Sequence, residues 1–338
     1  MARTVTASEG VVAVGASAGG VEALTELAAG LAPDVPFAVM VAIHLRVGAP
    51  SLLAQILDRS GPLPATTAVD GAVLEAAHIY VAVPNNHLLA RDHRLMLSDG
   101  PQENGHRPAI DALFRSVAID YGPHAVGVLM SGLLDDGVAG LEAIRAKGGV
   151  TVVQEPTDAL FPDLPRNALR AGVADYAVAA KDIGGFLMQL ADRDVEEQGM
   201  DPDGRLDLEN QIATGRRFAV TVDAEELGPL TGYTCPTCKS ALMAVGETTY
   251  RCRVGHAWTT QALLLAYDDE LEETVWAAVR ILKEKAKLYR KLAENLDPGD
   301  DFLRYTASAE QAERAIAVLG EGLFARTTQH LGDTGRKG

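Results

Sequence analysis

Ser17 sits in the run Gly15-Ala16-Ser17-Ala18-Gly19-Gly20, directly after an apolar stretch and directly before a helical pattern. A tight strand-to-helix turn needs glycine wherever φ is positive or backbones crowd together. Such a turn pushes a serine hydroxyl out at the strand's end. It also aims the free N–H groups of the following helix at the same point. That combination suits a nucleophile with an oxyanion site beside it, a relative of the Gly-x-Ser-x-Gly elbow of hydrolases. A phosphate-cradling loop is the competing reading. The Lys-Ser/Thr pair of a Walker loop is missing, and the spacing does not fit Gly-x-Gly-x-x-Gly. A hydrolase elbow leads, with an anion loop and a plain tight turn left open.

A serine nucleophile needs a base and a group to orient that base. Of the eight histidines, His44 is best placed, because it directly follows the apolar run Phe37–Ile43. His87, in Pro84-Asn85-Asn86-His87, is its competitor at the head of a hairpin strand. His78, His93, His106, His124 and His330 fall in polar or loop-like surroundings. The acid is expected at another strand end, where Val126–Met130 runs into Ser131-Gly132-Leu133-Leu134-Asp135-Asp136-Gly137. Position alone does not choose between Asp135 and Asp136, and an aspartate before a helix commonly serves as its cap.

A second cluster lies near the C-terminus. Cys235, Cys238, Cys252 and His256 form Cys-x2-Cys-x13-Cys-x3-His and use all three cysteines of the chain. Two thiolates at the short spacing make a knuckle, and a second pair from a hairpin completes a tetrahedron, so structural zinc is expected. Four protein ligands leave no open position for catalysis. A redox Cys-x-x-Cys is the alternative, but the strand-to-helix setting it needs is absent.

These groups need a scaffold. Apolar runs at Val11–Val14, Phe37–Ile43, Ile79–Val83, Val126–Met130 and Val150–Gln154 alternate with helical patterns at Val21–Leu31, Leu52–Leu57, Ile110–Ile119, Val138–Ala146 and Ile183–Leu190. Strands apolar on both faces and separated by helices predict an α/β fold: a doubly wound, mostly parallel sheet with helices on both faces. A small zinc module and a C-terminal helical hairpin complete the architecture. The hairpin is expected from Leu264, Tyr267, Leu271, Val275, Ala278, Leu282, Tyr289 and Leu292, then Tyr305, Ala309, Ala312, Ile316, Leu319 and Leu323, broken at Leu296–Asp300. That apolar stripe is read as core, with pairing of two copies as the alternative. The predicted boundaries are 1–195 for the hydrolase domain, 196–228 for an acidic linker, 229–262 for the zinc module and 263–330 for the hairpin.

The formal charge of −16 repels phosphate backbones and anionic lipid head groups, so nucleic acid is not an expected partner. No apolar run approaches the roughly 18 residues of a membrane span, and the N-terminus lacks the layout of a signal peptide. Thiols used for metal rather than disulfides agree with a cytoplasmic location.

Taken together, the nucleophile run, Ile43-His44-Leu45 and Gly132-Leu133-Leu134-Asp135-Asp136-Gly137 resemble the catalytic domain of CheB, the chemotaxis protein-glutamate methylesterase. Arg107-Pro108-Ala109-Ile110-Asp111-Ala112-Leu113-Phe114-Arg115-Ser116, Gln154-Glu155-Pro156 and Pro165-Arg166-Asn167-Ala168 agree with further family segments, so the resemblance covers about residues 8–192. It implies Ser17 as nucleophile, His44 as base and Asp136 as orienting acid, with no catalytic cofactor. It also implies methylated glutamates of a chemoreceptor or receptor-like protein as substrate, with glutamine deamidation as a second activity. Backbone N–H groups at Ala18 and Leu133 are the expected oxyanion donors, and Arg46 or Arg166 are candidates for contact with an acidic receptor surface. Three positions depart from the family pattern: Ala18 stands for threonine, Leu45 for methionine and Leu134 for glycine. The family's N-terminal receiver domain is not found ahead of the first strand, so control by receiver phosphorylation is not expected. The alternative is a signalling adaptor that retains a hydrolase domain for binding.

Overall fold

The computed structural model describes Ser8, residues 10–44, 52–191, 193, 195, 204–215 and 228–333, with side chains to residue 320. Leu45 and Arg46 lie outside the described residues. The chain divides into two compact units, Met1–Leu263 and Leu264–Gly338.

The first unit opens with β1 (Gly10–Ala16), α1 (Gly20–Gly30), β2 (Phe37–Ile43), α2 (Leu53–Ser60), β3 (Ala65–Thr67) and β4 (His78–Val81). A hairpin of β5 (His87–Arg91) and β6 (Arg94–Ser98) follows, then α3 (Ile110–Tyr121), β7 (Ala125–Leu129), α4 (Val138–Ala146), β8 (Val150–Gln154), α5 (Asp163–Arg170), β9 (Tyr176–Val178) and α6 (Ala180–Ala191). Seven of these strands form one sheet in the order β3-β4-β2-β1-β7-β8-β9, and every pairing in it is parallel. The doubly wound sheet expected from the sequence is present.

Its core follows from the strand periodicity. Along β1, Val11 and Ala13 face a layer with Ile110, Leu113, Phe114, Leu141 and Leu164. Val12, Val14 and Ala16 face the opposite layer, with Leu24, Leu27, Leu57 and Leu187. Both faces of the strand are buried, which is why its sequence is apolar without alternation. The edge strands β3 and β9 have only three residues each and carry exposed positions, so no periodicity marks them.

The order of strands decides where a site can form. β1 is central, with β2 on one side and β7 on the other. Successive connections therefore leave β1 in opposite directions, which opens a crevice at its C-terminal end.

Within the predicted acidic linker, helix α7 (Gly204–Ala213) forms. Its end is apolar: Ala213 packs with Leu89, Ala109 and Ala112, and Ile212 with Met243. The Ser98 hydroxyl donates to the Ala213 carbonyl at 2.6 Å. Residues 196–203 and 216–227 lie outside the described residues. The cysteines sit on a four-stranded antiparallel sheet of β10 (Leu230–Thr234), β11 (Ala241–Ala244), β12 (Thr249–Cys252) and β13 (Ala257–Thr259). This small sheet belongs to the same compact unit as the large one.

The second unit consists of helix α8 (Thr260–Ala293) from Leu264 onward and helix α9 (Asp300–Asp333). An Arg290–Glu313 ion pair at 2.8 Å and stacked Tyr289 and Tyr305 rings hold them as an antiparallel hairpin. Val279, Ala286, Ala293, Ala309 and Ala312 are buried. Leu264, Leu271 and Leu292, read from the sequence as core, are exposed. Two helices bury only the strip along which they meet, and the alanines there let the backbones approach closely. The larger side chains fall outside that strip.

Candidate active site

Three loops converge at the C-terminal edge of the central strands. Ser17 follows β1, His44 follows β2, and Asp136 lies in the loop between β7 and α4. His44 Nδ1 is 3.1 Å from Ser17 Oγ, and His44 Nε2 is 2.7 Å from Asp136 Oδ2. Ionised Asp136 only accepts, so Nε2 carries the proton and Nδ1 offers its lone pair to the serine hydroxyl. Asp136, not Asp135, is the carboxylate brought to the imidazole. Asp135 Oδ1 instead accepts from the Thr259 hydroxyl at 2.7 Å.

The serine turn is held from behind. Ser17 N–H donates to the Ser131 carbonyl at 2.9 Å, and the Ser131 hydroxyl donates to the Ala18 carbonyl at 2.8 Å. Gly19 has φ +68°, and a Cβ there would lie 2.7 Å from Ser131 Oγ. A Cβ on Gly132 would lie 2.8 Å from Ser17 Cβ. These are the places where the turn requires glycine.

Asp136 is buried but well supplied with donors. Oδ2 also accepts from Ile110 N–H at 2.8 Å, and Oδ1 accepts from Asn104 Nδ2 at 3.1 Å and Asp111 N–H at 3.3 Å. Two of these donors are the first amides of α3, so the carboxylate sits at a helix N-terminus. Burial alone would raise its pKa, but the hydrogen bond and charge of His44, with the Ile110 amide, hold it below the usual carboxylate range. Neighbouring Asp111 is pushed the other way, by burial and by the charge of Asp136. Its Oδ1 accepts from Gly137 and Gly140 N–H at 2.9 and 2.7 Å, which ties α3 to the start of α4.

His87 does not compete for the role of base. It is fully buried in the fold, with Nε2 donating to the Pro101 carbonyl at 2.9 Å and Nδ1 accepting from Ala109 N–H at 3.3 Å. His106, read as a loop residue, stacks on His44 with ring centroids 3.7 Å apart and planes 10° from parallel. Burial and the neighbouring His44 push its pKa down to about 4, so it is a neutral platform at pH 7. Residues Asn104, His106 and Asp111 escaped sequence reasoning as site members. The segment containing Asp111 stood out only as a family motif, with no role attached.

The rim is apolar and open. Leu133, Leu160 and Phe161 are exposed around the turn, and Gly132 N–H donates to the Phe161 carbonyl at 2.8 Å. Arg166 is exposed on α5. Leu134, where the family pattern has glycine, has φ +64°.

A hydrogen-bonded serine, imidazole and carboxylate can perform acyl transfer. The chain's similarities point the same way. The profile of the CheB methylesterase family matches residues 12–187, more than half of the chain. The chain belongs to the CheB methylesterase family. It is 42% identical over 179 residues to "Protein-glutamate methylesterase/protein-glutamine glutaminase 3" of Anaeromyxobacter dehalogenans, covering 52% of each chain. It is 35% identical over 185 residues to a protein-glutamate methylesterase/protein-glutamine glutaminase of Xanthomonas euvesicatoria, covering 54% of this chain and 51% of that one. The CheB methylesterase catalytic domain of Thermotoga maritima superposes with a TM-score of 0.52 at 26% identity, over 54% of this chain and 98% of that one. The chain thus spans about half the length of the curated relatives it matches.

The second cluster also assembles. One donor atom each from Cys235, Cys238, Cys252 and His256 lies within 4.8 Å of the others. Cys238 Sγ is 3.6 Å from Cys252 Sγ, while His256 Nδ1 is 3.7 Å from Cys235 Sγ and 3.5 Å from Cys252 Sγ. A tetrahedron with zinc–sulfur bonds of about 2.3 Å and a zinc–nitrogen bond of about 2.0 Å has edges of roughly 3.5–3.8 Å. The donor set and its spacing fit that ion. Among the described residues no helix is long and apolar enough to cross a membrane.

Proposed function

We propose that this chain is a carboxylic-ester hydrolase that removes methyl groups from glutamate side chains of chemoreceptors or receptor-like proteins and deamidates glutamine at such sites. The observation that carries this reading is the continuous hydrogen-bonded series Ser17–His44–Asp136 at the ends of three adjacent strands. Ser17 Oγ attacks the γ-carbonyl while His44 Nδ1 takes its proton. Asp136 holds the Nε2–H tautomer and stabilises the imidazolium that forms. His44 then gives its proton to the departing methoxide, releasing methanol and leaving an ester of Ser17. Water, deprotonated by His44, attacks that ester and frees glutamate. With a primary amide the first leaving group is ammonia.

Backbone N–H groups of Ala18 and Leu133 are the oxyanion donors in this reading. Ser17 and Gly132 N–H are already engaged by Ser131 and Phe161, whereas no partner of the Ala18 or Leu133 N–H is found among the described residues. The exposed Leu133, Leu160 and Phe161 rim supports a protein substrate, because an open apolar lip receives a helix more readily than it encloses a small molecule. The four donors Cys235, Cys238, Cys252 and His256 hold a structural zinc, and catalysis uses no cofactor. Exposed Leu264, Leu265, Leu271 and Trp276 on α8 support pairing with a second copy through the hairpin.

The test is methanol release from a methylated receptor helix, with ammonia release from its glutamine form. Wild type should release both, and Ser17→Ala should lower kcat by a factor on the order of 10⁴–10⁶. Folded wild-type protein that releases neither would favour the adaptor reading, in which the domain binds without turning over.

A further inference from the structure

Asp136 is the residue through which His44 is oriented, and its support comes from an unexpected direction. Of the donors to its carboxylate other than His44, two are backbone amides of α3 and one is the side chain of Asn104. Asn104 is 8% exposed and has φ +52°, a conformation asparagine tolerates. Its Oδ1 accepts from Thr259 N–H at 2.8 Å. Because a backbone N–H can only donate, the amide oxygen must face Thr259, and that directs Nδ2 at Asp136.

Thr259 belongs to β13 of the cysteine-bearing sheet, and the contact is part of a wider seam. Asn104 N–H donates to the Ala257 carbonyl at 2.8 Å, and Ala257 N–H donates to the Gln102 carbonyl at 3.2 Å. Arg251, 1% exposed, donates from Nη2 to Glu103 Oε1 at 3.1 Å and from Nη1 to the Gly255 carbonyl at 2.7 Å. Gly255 and Ala257 flank His256, and Arg251 precedes Cys252. The β12–β13 hairpin, which carries two of the four ligand residues, is therefore the hairpin that grips residues 102–104.

We propose that Asn104 is a positioning residue for Asp136, and that the Cys/His-bearing sheet holds Asn104 from its far side, so that this sheet is part of the catalytic apparatus. The inference rests on the reading of Ser17, His44 and Asp136 as the reacting groups. Without Asn104, Oδ1 keeps only the 3.3 Å bond from Asp111 N–H, so the plane of the carboxylate is less firmly fixed about the Oδ2 that Ile110 N–H and His44 share. Disordering the ligand-bearing hairpin has the same effect at one remove. Asn104 lies behind Asp136 and touches no substrate, so the loss falls on kcat and not on KM.

The full chain is labelled with a fluorophosphonate probe, whose phosphorus bonds to Ser17 Oγ as fluoride leaves, and the labelled residue is mapped by mass spectrometry. Labelling rate, kcat, KM and zinc content are compared for wild type, Asn104→Gly, Asn104→Asp, Cys252→Ser and the Asn104→Gly/Cys252→Ser double variant. Glycine keeps the left-handed backbone, while aspartate keeps the acceptor for Thr259 and loses the donor to Asp136. Each single variant should lose at least about tenfold in labelling rate and kcat with KM within about twofold, and the double variant should lose no more than the worse single one. Asn104→Gly leaves all four ligands in place, so it remains decisive where Cys252→Ser does not fold. Wild-type labelling rates in the Asn104 variants, or losses that multiply in the double variant, would overturn the inference. Wild-type protein that is not labelled at Ser17 would overturn the hydrolase reading and this inference together.

Discussion

Leu134 illustrates how one residue can record a departure from a family pattern in physical terms. Its φ of +64° lies in the left-handed region, which costs a side-chain-bearing residue roughly 1–2 kcal/mol. The Leu134 carbonyl accepts from Asn167 Nδ2 at 2.7 Å, so the loop keeps this conformation although glycine is absent. Leu134→Gly should raise the unfolding free energy by about 1 kcal/mol, read from urea midpoints of the full chain. An unchanged or lower midpoint would show that the leucine side chain contributes more than its backbone strain costs. His44 and His87 make the complementary point. His44 directly follows an apolar run and His87 heads a strand after Pro84-Asn85-Asn86; one ring meets Ser17 and Asp136 and the other is spent on Pro101 and Ala109. The direction of each ring, which local sequence does not encode, decides which histidine reaches Ser17.

At the level of elements, β12 and α3 meet over buried charge. Glu103 Oε1 lies 2.7 Å from Arg115 Nη2 and 3.1 Å from Arg251 Nη2, and all three residues are buried. Burial would raise the Glu103 pKa, but the two guanidinium groups bring it from 4.5 down to about 2. A folded-state value below the unfolded one stabilises the protein at neutral pH, and that contribution disappears as pH falls from about 4.5 towards 2. Stability measured between pH 6 and pH 2 should drop across this window. Arg251→Met should cost about 3 kcal/mol at pH 7 and make the drop shallower, because part of the compensation for the carboxylate is then gone. A variant as stable as wild type, with the same acid limb, would show that Arg115 alone compensates Glu103. Composition and spacing carried none of this. Arg251 is far along the chain from Glu103 and Arg115, and nothing in the local sequence of the three marks them as partners.

For the molecule as a whole, the four-donor cluster and the parallel sheet share one compact unit. Mass measured under native conditions should show one zinc per chain. Cys252→Ser should carry none and should unfold at a lower temperature. A metal-free wild type with three freely alkylated thiols would remove zinc from the reading. The stretch between the two sheets shows why domain boundaries were harder to read than elements. Acidic residues with glycine and proline suggested a linker, yet Ile212 and Ala213 close α7 against both the hairpin of β5 and β6 and the cysteine-bearing sheet.

Chemistry that depends on short spacing was legible in the sequence by itself. The glycine-framed Ser17, the strand-terminal His44, the Cys-x2-Cys pair with its distant Cys-x3-His, and the alternation of buried strands with amphipathic helices each reflect constraints spanning a few residues. Position in the chain left Asp135 and Asp136 open and the family resemblance favoured Asp136; the tertiary structure brought Asp136 to the imidazole, gave Asp135 to Thr259 and turned His87 into the core. It also placed His106 flat against His44 and ran the cysteine-bearing sheet through Thr259 and Asn104 to the carboxylate. The reason is that strand order, not sequence distance, chooses which loops meet. β1 lies between β2 and β7, so residues 17, 44 and 136 become neighbours at one edge of the sheet.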